Sequence, residues 1–311
     1  MTRIGSEWER VPCSSMPAED MPRAEVLIDS GLLRSLLRDQ HPDLADLPHG
    51  APVGGWDNVN IPVGRDLMAR LPRRAMSAPL IENEQRWLPQ LAPTLPLPIP
   101  VPVRVGRPGH GYPWSWSICR RLSGDNAATT PPILAAEAAA TLGRFLRALH
   151  VPAPADAPVN PYRGVPLGGR FEVLRGRIEQ LADEIDAAAV LAVWTALVET
   201  PTWAGPPLWL HGDLHPGNVI VHGGEISGIV DFGDITAGDP ATDLAIAWMM
   251  LPAPVRPLFR AAAGDVDDHT WTRARGWALA YSLTFIASSA DNQAMNQVGR
   301  YTLDAVLDDR N

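Results

Sequence analysis

The sequence predicts an α+β fold in two lobes: a small β-rich N-lobe and a larger helical C-lobe, with the active site in the cleft between them. Three observations carry this. Short strand-like runs punctuated by glycine and proline precede residue 122, whereas alanine- and leucine-rich segments of helical period follow Pro132. A chain of 311 residues is long enough for two lobes of unequal size. Candidate chemistry is concentrated in one stretch after Trp209, inside the helical half.

Taken in order, residues 1–22 are polar and proline-interrupted and read as a loosely ordered tail. Ala24 to Arg38 carries Val26, Leu27, Leu32, Leu33, Leu36 and Leu37 at helical spacing, and Pro42 ends that helix. Gly54-Gly-Trp-Asp-Asn58 is a turn signal, followed by strand-like runs at Val59–Val63 and Leu67–Leu71 split by Gly64. Ala78 to Leu91 reads as a short helix containing Glu82 and Glu84. Leu95 to Val103 alternates with proline too densely for a central strand and is expected to be an extended connector. Strand character resumes at Ser115–Arg121. Helices are expected at Ile133–His150, twice within Phe171–Glu199, and at Trp271–Ala290. The expected division is 1–22 tail, 23–120 N-lobe and 121–311 C-lobe.

Composition narrows the function. Every one of the 26 basic residues is arginine, which excludes a Walker-type phosphate lysine, a Schiff-base lysine and a lysine general base. Of the net charge of −9, the segment from Glu199 onward carries 14 acidic residues against 6 arginines, a net of −8. Either a solvated acidic face or attraction of a cationic substrate accounts for that bias, and nucleic acid is not an expected partner. No apolar run approaches a membrane span, and the N-terminus lacks an apolar signal core, so the expectation is a cytoplasmic chain with no membrane partner. Cys13 and Cys119 lie too far apart in sequence for a metal or redox motif and read as free thiols.

The chemistry follows from spacing. In His211-Gly-Asp213-Leu-His-Pro-Gly-Asn218, Asp213 and Asn218 stand five residues apart, as in the kinase catalytic loop H-R-D-L-x-x-x-N, with Gly212 in place of arginine. Asp231-Phe-Gly233 follows, and His222-Gly-Gly224 between two apolar runs signals a hairpin that returns Asp231 to Asn218. An amide oxygen and a carboxylate at one point make a hard-oxygen site suited to Mg²⁺ bridging nucleotide phosphates. Asp213, at the other end of the loop, is where an acceptor hydroxyl would dock and lose its proton. His211-x-Asp213-x-His215 also fits a metal-hydrolase ligand set, although the remaining histidines show no cluster with ligand spacing. The alternative is a buried, loop-stiffening His211 with His215 near the phosphates or exposed.

Three segments closely resemble the aminoglycoside phosphotransferase family, which includes macrolide and choline kinases: residues 211–218, Ile229-Val-Asp-Phe-Gly-Asp234, and Gly238-Asp-Pro-Ala-Thr-Asp-Leu-Ala245. The resemblance reaches the N-lobe through Gly54–Asn58, Leu67-Met-Ala-Arg-Leu-Pro-Arg-Arg74 and Glu84-Gln-Arg-Trp-Leu88, and covers roughly residues 50–290. It implies a bilobal protein-kinase-like fold. It also implies that Asp213 is the catalytic aspartate and that Asn218 and Asp231 hold Mg²⁺. Arg70 would stand where most kinases place a phosphate-contacting lysine, with Glu84 as its helix partner. Ile118, Cys119 and Arg120, with Arg121, would form a hinge whose backbone pairs with the purine of ATP or GTP, and Asp243 would brace the catalytic loop. Arginine at position 70 keeps the charge but is longer and planar.

The expected protein is therefore a small-molecule kinase that phosphorylates a hydroxyl on an antibiotic, an aminoglycoside or a macrolide, and confers resistance. The alternatives are a metabolic kinase of the same fold acting on a choline-like or sugar substrate, and a pseudokinase that binds without turnover.

Overall fold

A computed structural model describes residues 23–309, so the expected tail at 1–22, with Cys13, lies outside the described residues. Helix α1 spans Ser30–Gln40. It begins six residues later than expected because the Asp29 side chain accepts from Leu32 N at 2.8 Å and caps the first turn there. Strands β1 (Val53–Gly54), β2 (Asn58–Val63) and β3 (Leu67–Pro72) follow, then helix α2 (Ala78–Leu91). The proline-rich connector ends in a strand the sequence reading did not anticipate, β4 (Pro102–Gly106), which pairs with β5 (Trp116–Arg120). Its one proline, Pro102, is tolerated because β4 is an edge of the antiparallel sheet β1-β2-β3-β5-β4.

Strand periodicity sorts this sheet into two faces. Ile61, Val63, Ala69, Leu71, Trp116 and Ile118 point one way and bury against Leu33, Leu36 and Leu37 of α1 in the N-lobe core. Asn60, Met68, Arg70 and Cys119 alternate with them and line a cavity on the opposite face.

The C-lobe opens with β6 (Asp125–Asn126), α3 (Ala135–Leu149), α4 (Phe171–Gln180) and α5 (Ala187–Val198). Strand β7 (Leu208–Leu210) then leads through the catalytic stretch to β8 (Val219–His222), β9 (Glu225–Ile229) and β10 (Thr236–Gly238). The short helices α6 (Ala241–Leu244), α7 (Ile246–Met250) and α8 (Arg256–Ala262) precede α9 (Asp268–Ser288) and α10 (Gln293–Leu307). Helix α9 is buried on most of its circumference and packs against α4, α5, α6, α7 and α10. It starts where the Asp267 side chain accepts from Thr270 N at 2.9 Å.

Trp248 and Trp277 are 1% exposed and belong to the C-lobe core, so they anchor helices and present no surface to a ligand. Arg273 of α9 binds the Asp239 carboxylate through Nε at 2.6 Å and Nη2 at 3.2 Å, fixing the turn after β10 to the central helix. Among the described residues no helix is long and apolar enough to cross a membrane.

Candidate active site

The N-lobe half of the site is built around Arg70. Its place on β3 turns the side chain off the core face, where Nη1 donates to Glu84 Oε2 of α2 at 2.5 Å and Nη2 lies 3.4 Å from Asp231 Oδ1. Burial alone would favour a neutral guanidine, but Glu84 and Asp231 outweigh it and hold Arg70 firmly cationic. Glu84 is 1% exposed, whereas Glu82 accepts a surface hydrogen bond from Ser115 Oγ, so Glu84 is the helix carboxylate that meets Arg70.

The C-lobe half is a strand–loop–hairpin. Val230 N donates to Asn218 O at 2.9 Å and Val219 pairs with Ile229, so the β8–β9 hairpin closes with Asn218 beside the start of Asp231-Phe-Gly233. Asp231 itself has φ 63°, a left-handed conformation costing a non-glycine residue about 1–2 kcal/mol, and its side chain remains 59% exposed toward the cleft. Asn218 Nδ2 donates to Asp213 O at 2.9 Å, which leaves its Oδ1 as a free acceptor on a residue that lines the cavity.

Two buried anchors hold the loop from behind. Asp243 accepts from His211 N at 2.8 Å and Gly212 N at 2.9 Å, and sits 3.2 Å from His150 Nε2. Gly212 has φ 87°, and a Cβ there would fall 2.1 Å from Asp234 O, so neither arginine nor any other side chain fits at this position. His211 is fully buried; its Nε2 bonds Val230 O at 2.9 Å and its Nδ1 accepts from Asp213 N at 3.2 Å. With both ring nitrogens committed, His211 has no lone pair for a metal, which removes the hydrolase ligand set. His215 is neither exposed nor distant from the reaction: its Nε2 lies 3.5 Å from Asp213 Oδ2 and its Nδ1 accepts from Gly217 N.

Asp213 is the most heavily conditioned carboxylate of the site. Its Oδ1 accepts from Arg163 Nη2 at 2.7 Å. Burial opposes ionisation, but Arg163, His215 and His211 outweigh it and hold the carboxyl well below the usual carboxylate range. Asp234 has the opposite fate. Burial and the Asp213 charge push it up to about 6, against the pull of Arg163 and of Asn160 Nδ2, which donates to it at 2.6 Å. Two neighbouring carboxylates therefore ionise far apart in pH.

A cavity of roughly 370 Å³ lies between the sheet and the hairpin, lined by Asn60, Met68, Arg70, Cys119, Asn218 and Asp231 among others. Arg120 lines it as well, followed by Arg121 and Leu122. The Ile118 side chain is in the N-lobe core, one residue out of phase with the cavity face, so only its backbone is left for the hinge contact expected of it. Glu84 reaches the site only through Arg70, and Asp213 sits outside the cavity lining, in the C-lobe. The amide oxygen of Asn218 and the carboxylate of Asp231 are hard donors facing one cavity, a set that fits Mg²⁺.

Sequence reasoning missed Arg163, Asp234 in its pairing with Asp213, and Tyr281, whose hydroxyl donates to Gly212 O at 2.9 Å. Asp234 lies within the Ile229–Asp234 motif, but nothing local marks Arg163 or Tyr281.

A model of the phosphotransferase enzyme family matches residues 51–277. A homoserine kinase of Methylocella silvestris is 37% identical over 94 residues, which covers 24% of this chain and 28% of that protein's length. Among solved structures, the GDP complex of wild-type aminoglycoside 2'-phosphotransferase-IIIa is 20% identical with TM-score 0.64, covering 90% of this chain and 99% of that one. The macrolide 2'-phosphotransferase MphH of Brachybacterium faecium, as apoenzyme, is 21% identical with TM-score 0.57, covering 88% and 98%. The streptomycin–ATP ternary complex of APH(2")-IIa is 15% identical with TM-score 0.58, covering 89% and 99%. These structures share the bilobal protein-kinase-like fold. The chain belongs to the phosphotransferase enzyme family.

Proposed function

We propose that this protein is a Mg²⁺-dependent small-molecule kinase that transfers the γ-phosphate of ATP or GTP to a hydroxyl group. The observation that carries the reading is the division of labour in the cleft. Arg70, Asn218 and Asp231 face one cavity at the lobe interface, while Asp213 stands beyond it, ionised and held by Arg163. Nucleotide use is supported by relatives solved with GDP and with ATP. The N-lobe, residues 23–120, would supply the nucleotide side and residues 121–311 the acceptor side.

In this reaction the acceptor oxygen attacks the γ-phosphorus, the bond to the β-phosphate oxygen breaks, and the nucleoside diphosphate leaves. Asp213 orients the hydroxyl and receives its proton, worth roughly 10²–10⁴ in rate for general-base action. Arg70 pairs with charge on the phosphates while Glu84 keeps it from swinging away. Mg²⁺, held by Asn218 and Asp231, would neutralise charge on the phosphate oxygens.

The acceptor separates two readings. Structural neighbours named for aminoglycosides and macrolides support an antibiotic acceptor and a role in resistance; the homoserine kinase supports a metabolic one. A pseudokinase is disfavoured because Asp213, Asn218 and Asp231 are all present and Arg70 is a partnered cation. We place the enzyme in the cytoplasm, where nucleoside triphosphates are available.

The test is diphosphate release from ATP and from GTP with Mg²⁺, across aminoglycosides, macrolides, choline, sugars and hydroxy acids. The expected result is acceptor-dependent release that Asp213→Ala reduces by at least about 10²-fold. Undiminished release in that variant would exclude Asp213 as the catalytic carboxylate.

A further inference from the structure

Arg163 stands beside Asp213, and Arg170 and Arg177 of α4 lie near enough to Arg163 for their charges to repel. Arg163 lies in the segment between α3 and α4 and reaches Asp213 directly. Its aim is set by Gly164, whose N–H donates to Thr242 Oγ1 and whose carbonyl accepts from Asp239 N, both at 3.0 Å. Arg163 stacks over the Tyr281 ring, 5.0 Å from its centre, and Tyr281 is in turn bonded to the catalytic loop. Arg170, at the N-terminus of α4, lies 5.9 Å over Tyr162, and Arg177 follows seven residues on, two turns along the same helix.

The contrast within α4 is informative. Arg175 faces solvent and finds Glu172 and Glu179 as partners at 3.8 Å and 3.5 Å. Arg170 and Arg177 are half-buried and pair with no carboxylate among the described residues. The Nε–H groups of Arg163 and Arg170 are buried without an acceptor from the protein. Burial, together with Arg163, pushes the Arg170 guanidinium down, and burial with Arg170 and Arg163 does the same to Arg177. The cluster thus holds three mutually repelling guanidiniums, of which only Arg163 has a carboxylate partner, in a chain of net charge −9. Guanidinium forks left without partners in such a setting match the oxygens of a bound oxyanion.

We propose that Arg163, Arg170 and Arg177 form the acceptor-recognition site, and that the hydroxyl phosphorylated by this enzyme belongs to a small molecule carrying an oxyanion, a carboxylate or a phosphate ester. This rests on the kinase reading above and turns it away from polycationic aminoglycosides, which these arginines would repel. The oxyanion docks on Arg170 and Arg177, Arg163 bridges it to Asp213, and the hydroxyl is presented to the Asp213 carboxylate.

Two measurements test it. Calorimetric titration with malate and with inorganic phosphate needs no turnover. Saturable binding to the full chain is expected, lost in Arg170→Gln/Arg177→Gln and at least partly restored in Arg170→Lys/Arg177→Lys, with thermal midpoints checked for all three. Absence of saturable binding of either anion to the folded wild type, or equal binding by the Gln double variant, overturns the proposal and leaves the kinase reading intact. Turnover is then compared across hydroxy acids, sugar phosphates, neutral sugars and aminoglycosides. Anionic acceptors are expected to be preferred, with the Gln double variant raising their KM tenfold or more; hydroxy acids and sugar phosphates separate the two sources of charge. Preference for a cationic or neutral acceptor also overturns the proposal. Failure to bind nucleotide at all would instead overturn the kinase reading.

Discussion

Replacing Asp243 with alanine tests whether the catalytic loop is held from behind. The carboxylate is fully buried and accepts two backbone N–H groups, from His211 and Gly212, while facing the His150 ring. Alanine leaves both amides buried and unpaired, at about 1–3 kcal/mol each, or roughly 2–6 kcal/mol together. For a protein of this size that corresponds to a fall in Tm of about 4–24 °C, at about 2–4 °C per kcal/mol. Asp243→Asn retains one acceptor oxygen and should lose roughly half as much. Urea denaturation and thermal scanning measure the loss. Turnover measured well below the lowered midpoint should still fall more than tenfold, because Gly212 sets the position of Asp213. An Asp243→Ala protein with Tm within about 1 °C of wild type and full activity would refute the reasoning.

Three further outcomes are expected. Asp231→Ala should abolish Mg²⁺-dependent tightening of nucleotide binding, read by calorimetry with and without the ion; unchanged binding would mean the metal ligands are misassigned. Arg70→Ala should weaken nucleotide binding by about tenfold or more and leave the Glu84 carboxylate buried and unpaired, at a cost of about 3–5 kcal/mol read by urea denaturation. Asp234 is raised from 3.8 to about 6 in the folded chain, so the folded state binds this proton more tightly than the unfolded one. Its contribution to stability is fully present below about pH 4 and lost as pH rises through about 6. Asp234→Asn should therefore flatten the stability–pH curve across that window; an unaltered curve would reject the assignment.

Much of the fold was legible because it rests on local periodicity. Helix α2 falls on Ala78–Leu91 as its pattern implied, and β2, β3 and the β8–β9 hairpin follow from apolar runs broken by Gly64 and Gly223-Gly224. Errors arose where a single polar contact outweighs the pattern. The Asp29 cap moved the start of α1, and an edge position let Pro102–Gly106, at the end of the proline-rich connector, pair as β4.

By itself, the sequence determined the two-lobed α+β order and the Asp213–Asn218–Asp231 spacing. It also identified Arg70 and Glu84 as a candidate pair, since each depends on residues close in the chain or on a motif that survives being read linearly. Only the tertiary structure decided which side chains surround Asp213. Arg163 lies fifty residues before it and Tyr281 sixty-eight after it, and both arrive through the packing of α9 and the turn at Gly164. Contacts of such separation leave no periodic trace, because they are selected by the closure of the core rather than by the neighbours of either residue.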